Sequence, residues 1–145
     1  MSSSYQLLWG VTSLKEAEMG TLTSVLTASE RERAHVLTPV QSSRYLAGRY
    51  LARQLGAQML ETEWTAVVPS AHCEDCGMDH GAINFVGTDL SISLSSTGNR
   101  LVAAGIRGHR IGIDIEQGQL EDRWEIAAQI GNQDVTLAQW CEYES

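Results

Sequence analysis

The sequence predicts an α+β fold, because two different periodicities occur in it with no regular alternation between them. Residues 90–95 read Leu-Ser-Ile-Ser-Leu-Ser, a strict alternation that puts Leu90, Ile92 and Leu94 on one face of a strand. Residues 38–56 carry the punctuation of a helix: Thr38 as N-cap, Pro39 at the first helical position and Gly56 after the last turn. Strand-like and helix-like segments follow one another without a βαβ rhythm, and 145 residues is the size of one ordinary domain.

The elements follow in chain order. Residues 6–11 are apolar enough for a first strand. A helix is expected over 14–26, with Ser13 as N-cap and Glu16 three residues on, a capping-box pattern. Ser29 and Glu32 repeat that pattern ahead of a short helix. In the helix that follows, Leu51 and Leu55 are one turn apart and Ala47 lies one turn before Leu51. Arg49 and Arg53 share a face there, with Arg44 further round. After residues 64–68 comes a loop containing His72, Cys73, Cys76 and His80. Strands over 101–106 and 111–115 bracket Arg107-Gly108-His109-Arg110, which reads as a hairpin turn. Residues 122–145 are helical in character, broken near Gly131-Asn132, with Asp134 capping the second piece.

Composition narrows the function. The net charge is −8, and its distribution is uneven. Residues 1–60 carry six basic against four acidic side chains; residues 61–145 carry four against fourteen. An arginine-bearing front and an acidic rear fit a site where anion-binding arginines face a carboxylate cluster. The acidic total argues against general nucleic-acid binding. Nine arginines accompany a single lysine, and arginine grips phosphate in a fixed fork. No apolar run approaches the ~20 residues of a membrane span, and residues 1–4 open no signal peptide. The expectation is a soluble, cytoplasmic protein that binds neither membrane nor nucleic acid. Three cysteines, an odd count, argue against a disulfide framework.

Three segments carry chemistry. In Gly112-Ile-Asp114-Ile-Glu116, positions 114 and 116 share a strand face, with Ile113 and Ile115 on the other. Two carboxylates so placed repel each other, and Mg²⁺ between them and substrate phosphate oxygens would offset that. Solvated acids on an edge strand are the alternative. Cys73, Cys76 and His80, with His72 beside them, are ligands of zinc type, although structural zinc asks for four ligands and usually a second, separated pair. A compact loop of packed cysteines is the alternative there. Leu94-Ser-Ser-Thr-Gly98 ends a strand with three hydroxyls and a glycine, a turn that can donate to phosphate or be a plain polar turn.

In order, these segments resemble the 4′-phosphopantetheinyl transferases of the larger, surfactin-synthetase-activating type, from about residue 26 to the end. Arg-x4-Arg-x3-Arg-x-Leu over 44–55 is similar to the first long helix of that family. Cys73-x2-Cys76-Gly77-x2-His80-Gly81 resembles a loop found in many bacterial members. Ser93-Leu-Ser95-Ser-Thr-Gly98 is similar to Ser-x-Ser-His-(Ser/Thr)-Gly, and Gly112-Ile-Asp114-Ile-Glu116 matches Gly-(Ile/Val)-Asp-(Ile/Val)-Glu in full. Trp140-Cys-Glu-Tyr-Glu144-Ser145 resembles Trp-x-x-Lys-Glu-(Ala/Ser).

The resemblance implies two similar α+β halves with coenzyme A in the cleft between them. Residues 1–108 would be the first half, complete, and 109–145 the beginning of the second, a metal-binding strand and helix cut short. It implies Mg²⁺-dependent transfer of the 4′-phosphopantetheinyl arm from CoA to a serine of an apo acyl or peptidyl carrier protein. Asp114, Glu116 and Glu144 would hold Mg²⁺, and Glu144 would serve as base. Arg33 and Arg53 would meet CoA phosphates; Gly81, Ser95 and Ser96 would line the nucleotide pocket. Ser96 stands where the family commonly has histidine, Ala82 where it has a basic residue, and Tyr143 where it has lysine. Those differences leave a catalytically inactive CoA- or carrier-binding descendant as an alternative, and a small zinc-binding interaction domain as another. A cut-short second half would also expose Ile113, Ile115 and Trp140 and invite self-association or a partner chain.

Overall fold

A computed structural model describes residues 5–69 and 83–108 with their side chains, and the backbone of strands over 111–117, 123–130 and 133–140. The described elements run β1 (Tyr5–Val11), α1 (Glu16–Val25), α2 (Ala28–Val36), α3 (Pro39–Leu60), β2 (Ile83–Asn84), β3 (Leu90–Thr97), β4 (Arg100–Arg107), β5 (Ile111–Gln117), β6 (Arg123–Ile130) and β7 (Gln133–Trp140). This is a mixed α+β architecture. One antiparallel sheet has the order β1-β4-β3-β2, and a second has the order β5-β6-β7.

Helix α3 lies across the first sheet and makes the core with it. Its buried stripe is Ala47, Leu51, Ala52, Leu55 and Gly56, a one-turn spacing that faces one side. Opposite it lie Leu90, Ile92, Leu101 and Ala103, with Phe85 and Val67 closing the end. Leu55, Leu90 and Ile92 are wholly buried, each contributing about 1.5–3 kcal/mol of apolar burial. Two glycines permit the close approach. A Cβ on Gly105 of β4 would sit 2.5 Å from the Met59 sulfur, and one on Gly56 would sit 2.9 Å from the Phe85 ring.

The helix starts differ from the expectation in instructive ways. Thr38 does cap α3, its hydroxyl accepting from the Gln41 N–H while the Gln41 side chain accepts from the Thr38 N–H. Helix α1 begins at Glu16 rather than at 14: Lys15 is the N-cap residue, and the Glu18 carboxylate accepts from its N–H at 3.0 Å. Helix α2 is boxed by Thr27 and Glu30, not Ser29 and Glu32. Gly56 does not end α3, which runs on to Leu60 and stops at Glu61 in the left-handed region at φ 55°. Gly56 is instead a packing glycine under Phe85.

Two larger expectations are corrected. The segment Arg107–Arg110 does not join two strands of one hairpin. Strand β4 already has β1 on one edge and β3 on the other, so β5 has no edge of β4 to pair with and begins the second sheet. Where a helix is expected over 122–145, residues 123–130 and 133–140 are two strands, β6 and β7, in antiparallel register from Arg123↔Trp140 to Ile130↔Gln133. In β6, Trp124, Ile126, Ala128 and Ile130 alternate with Glu125 and Gln129, and Val135 and Leu137 alternate in β7. The described strands β5, β6 and β7 therefore form a three-stranded antiparallel sheet where a strand and a helix are expected. No helix of the described residues is long and apolar enough to cross a membrane.

Candidate functional site

The basic helices and the two motif-bearing strands are the parts to assemble. Strand β3 carries Ser93, Ser95 and Ser96, and pairs with β4 through a tight turn in which Gly98 adopts φ 57°. That conformation is costly for any side chain with a Cβ, which accounts for glycine at this position. The front part of α3 stands against this strand end. Leu94 lies where a Cβ on Gly48 would meet it at 3.1 Å, and Arg44 Nη2 donates to the Gly98 carbonyl at 3.3 Å. Ser95 and Ser96 are half-buried here, and Arg44 is exposed beside them on the turn.

Strand β5, which carries the acidic motif, approaches both β3 and β4. Asp114 and Glu116 occupy alternate positions on it, hence one face and about 7 Å apart. In the register with β6, Asp114 stands opposite Ala127 and Glu116 opposite Glu125. Like charges directly opposite each other destabilise a sheet pair unless something neutralises them. The donors are all hard oxygens, so this residue set fits Mg²⁺ with phosphate oxygens completing its shell.

The two arginines expected on CoA phosphates have different fates. Arg33 lies on α2 and is half-buried. Arg53 is 1% exposed, and its guanidinium is committed inside the protein. Its Nη1 donates to Glu30 Oε2 at 2.9 Å, its Nη2 to Glu30 Oε1 and, at 3.4 Å, to the Val25 carbonyl. This is a bidentate fork of the kind arginine and carboxylate form best. Arg49 adds a longer contact, its Nε 3.7 Å from Glu30 Oε2, and its guanidinium lies over the Tyr45 ring at 5.1 Å. Burial pushes the Glu30 carboxyl up. The Arg53 fork, the Thr27 N–H and the Arg53 and Arg49 charges outweigh it and hold the pKa below the ordinary glutamate value.

Glu30 is the residue that sequence reasoning missed, and Arg44, noted there as part of the arginine pattern, was given no role at the site. Glu30 stands three positions after Thr27, a capping-box spacing that competes with Ser29 and Glu32 in the same stretch. Arg44 stands one turn before Gly48, the glycine that lets α3 close on β3, which ties it to the serine turn. Gly81 and Glu144 lie outside the described residues, as do Cys73, Cys76, His80 and His72. Among the described residues, no group of three or more His, Cys, Asp or Glu side chains is arranged to hold a metal. No family model matches this chain, and no curated protein does.

Proposed function

We propose that this chain is a coenzyme A-binding member of the 4′-phosphopantetheinyl transferase type, acting on a serine of an apo acyl or peptidyl carrier protein. The observation that carries the reading is the approach of β5, with Gly112-Ile-Asp114-Ile-Glu116, to β3, with Ser93-Leu-Ser95-Ser-Thr-Gly98. The two strands stand apart in sequence and belong to different sheets, yet they approach each other. Arg44 of the long helix stands at the end of the same β3–β4 turn. A phosphate-bearing ligand laid along that end would find hydroxyls from β3 and a guanidinium from α3, with the acidic strand β5 packed against β3.

In that reading the carrier serine Oγ attacks the β-phosphorus of the CoA diphosphate. The phosphorus–oxygen bond to the nucleotide breaks, and adenosine 3′,5′-bisphosphate leaves. The hydroxyl proton passes to a carboxylate, the role the resemblance gives Glu144. Arg33 and Arg44 hold the nucleotide phosphates, Ser95 and Ser96 orient the diphosphate, and Asp114 and Glu116 would bind Mg²⁺. That ion would supply charge neutralisation on the leaving diphosphate. Arg53 acts from inside the protein, fixing α2 against α3 through Glu30 and reaching the end of α1 at the Val25 carbonyl.

A second reading, a descendant that binds CoA without transferring from it, is favoured by one observation. Arg53 is withdrawn from any phosphate, and Ser96 replaces a cationic residue of the family, so two phosphate contacts are gone. One experiment separates the readings: intact-mass spectrometry of an apo carrier protein after incubation with this chain, CoA and Mg²⁺. Transfer predicts a gain of one phosphopantetheinyl group, lost in Asp114→Ala. Binding alone predicts no gain, but a CoA-dependent rise in Tm that Asp114→Ala reduces. Neither a mass gain nor a CoA-dependent shift would overturn both readings.

A further inference from the structure

The two edges of the first sheet are finished in different ways. Strand β2 closes one of them with two residues, Ile83 and Asn84, too short to template a further strand. Strand β1 closes the other with seven, Tyr5–Val11, and among the described residues it pairs only with β4. Folded proteins guard a long edge with charged side chains, proline or a bulge. Residues 5–11 read Tyr-Gln-Leu-Leu-Trp-Gly-Val, with neither charge nor proline, and their unbroken register with β4 contains no bulge. The hydrogen-bond phase fixes which peptide groups face outward. The Thr12 N–H donates to the carbonyl of Asn99, the residue opposite it when the β1–β4 register is continued by one step. Such pairs alternate along an antiparallel ladder, so Gln6, Leu8 and Gly10 turn their peptide groups to β4, and Tyr5, Leu7 and Val11 turn theirs to the outer edge. The side chains sort in the same way. Leu8 packs on the α3 side, and a Cβ on Gly10 would meet Leu51 there at 3.0 Å. Tyr5 and Leu7 pack against Ala104 and Ile106 on the opposite face. Val11 shares that face with them and is 47% exposed.

We infer that the outer edge of β1 is the docking surface for a second copy of this chain, the two β1 strands pairing antiparallel about a two-fold axis at Leu8. The strand's own sequence selects that occupant. Tyr5 of one copy then stands opposite Val11 of the other, at both ends of the interface. Both residues turn N–H and C=O outward, as a hydrogen-bonded pair requires. Leu8, whose peptide groups turn inward, falls at the non-bonded position on the axis. The exposed valine of each copy is covered by the half-buried tyrosine of the other, an aromatic–β-branched pair of the kind that stabilises sheets. The strand carries no charge, so no like charges oppose each other, and the two-fold interface closes with the second copy. The product is one continuous sheet in the order β2-β3-β4-β1-β1-β4-β3-β2, with both α3 helices on one face. This surface needs neither CoA nor a metal and shares no residue with the proposed transfer site.

The test is sedimentation velocity of the full chain from about 1 µM to about 1 mM, with amide hydrogen exchange followed at both ends of that range. A species of twice the monomer mass is expected to grow with concentration. The Tyr5, Leu7 and Val11 amides should then exchange about tenfold more slowly where about nine-tenths of the chain is dimeric, whereas Gln6, Leu8 and Gly10, bonded to β4 in either state, should change little. Two copies of net charge −8 repel each other, so added salt should strengthen the dimer. Val11→Pro removes an outward donor and no bond to β4, and should weaken the dimer about tenfold or more with the monomer's melting curve unchanged. Val11→Thr, which keeps the donor and the branched side chain, should dimerise as the wild type does. A chain that stays monomeric throughout overturns the inference. So does a dimer whose protection does not alternate along β1, because its interface is then another surface. A dimer that salt dissolves, or one that a folded Val11→Pro variant forms equally well, overturns it too. Should Val11→Pro fail to fold, the alternating protection in the wild-type chain decides alone.

Discussion

Glu30 joins two of this protein's helices. Its carboxylate closes the Thr27 end of α2 and receives the Arg53 fork from α3, so one residue caps a helix and ties it to its neighbour. The pair is buried on both sides, Arg53 at 1% and Glu30 at 4% exposure. Removing one partner of such a pair leaves an unmatched buried charge, a loss of about 3–5 kcal/mol, whereas neutralising both is far cheaper. Arg53→Met should therefore destabilise strongly. Adding Glu30→Gln, which keeps the capping geometry, should recover much of the loss. Urea unfolding of the three proteins decides it, and an Arg53→Met variant within about 1 kcal/mol of wild type would refute a structural role for the pair. The same carboxylate gives a pH dependence. Glu30 binds its proton less tightly folded than unfolded, so its contribution is complete above its ordinary pKa of about 4.3 and fades as the pH falls below it. In Glu30→Gln that acid-limb loss should shrink. None of this was legible from residue types alone, because an arginine on a helix reads the same whether its partner is phosphate or a buried glutamate.

Among the elements, α3 shows where sequence punctuation works and where it misleads. Thr38 and Pro39 mark its start because capping is local chemistry, settled within four residues. Gly56 looks like a stop signal for the same local reason, yet tertiary packing decides its meaning. Helix propensity alone would have Gly56→Ala stabilise the protein by about 0.8–1 kcal/mol. The added methyl would meet the Phe85 ring at 2.9 Å, and Phe85 is 2% exposed with little room to move. Overpacking costs about 1–3 kcal/mol, so net destabilisation should result, relieved in part by Phe85→Leu. Thermal melts of the single and double variants measure this, and a rise in Tm for Gly56→Ala would show that the helix interior governs. The alternating Leu90, Ile92 and Leu94 revealed β3 at once, whereas β6 and β7 passed for helix. Their alternation is diluted by alanines, which suit a helix as well as a strand. Gly131-Asn132, a dipeptide of two-residue hairpins, was the better signal. The candidate site divides in the same way. Its strand motifs are contiguous and visible, whereas the approach of β5 to β3 is a fact of topology that no local pattern records.

At the scale of the whole molecule, the order β1-β4-β3-β2 makes the chain's first strand an outer strand and the late strand β4 a central one. Strand β4 is bonded along both edges, and Leu101, Val102, Ala103, Ala104 and Ile106 are all buried. Its Gly105 lies beneath Met59 and Leu55 of α3, so the helix seals that face. Opening β4 therefore requires parting two strand pairs and lifting a helix, which amounts to losing the core. Strand β1 has only β4 as a partner in its sheet and keeps no wholly buried residue. Amide hydrogen exchange should follow this hierarchy, with residues 101–106 exchanging last, at rates set by global unfolding, and residues 5–11 well before them. Denaturant should speed the 101–106 amides with the full equilibrium slope and the β1 amides with a smaller one. If β1 and β4 instead exchanged together at every denaturant concentration, the first sheet would open as one unit and β4 would not be its anchor. The consequence reaches the candidate site: β3 is paired directly to β4 through Ser95↔Val102 and Ser96↔Leu101, so the serine turn is held by the part of the molecule that should open last. A phosphate-binding turn gains from such an anchor, because its hydroxyls are then positioned before the ligand arrives and binding need not order them.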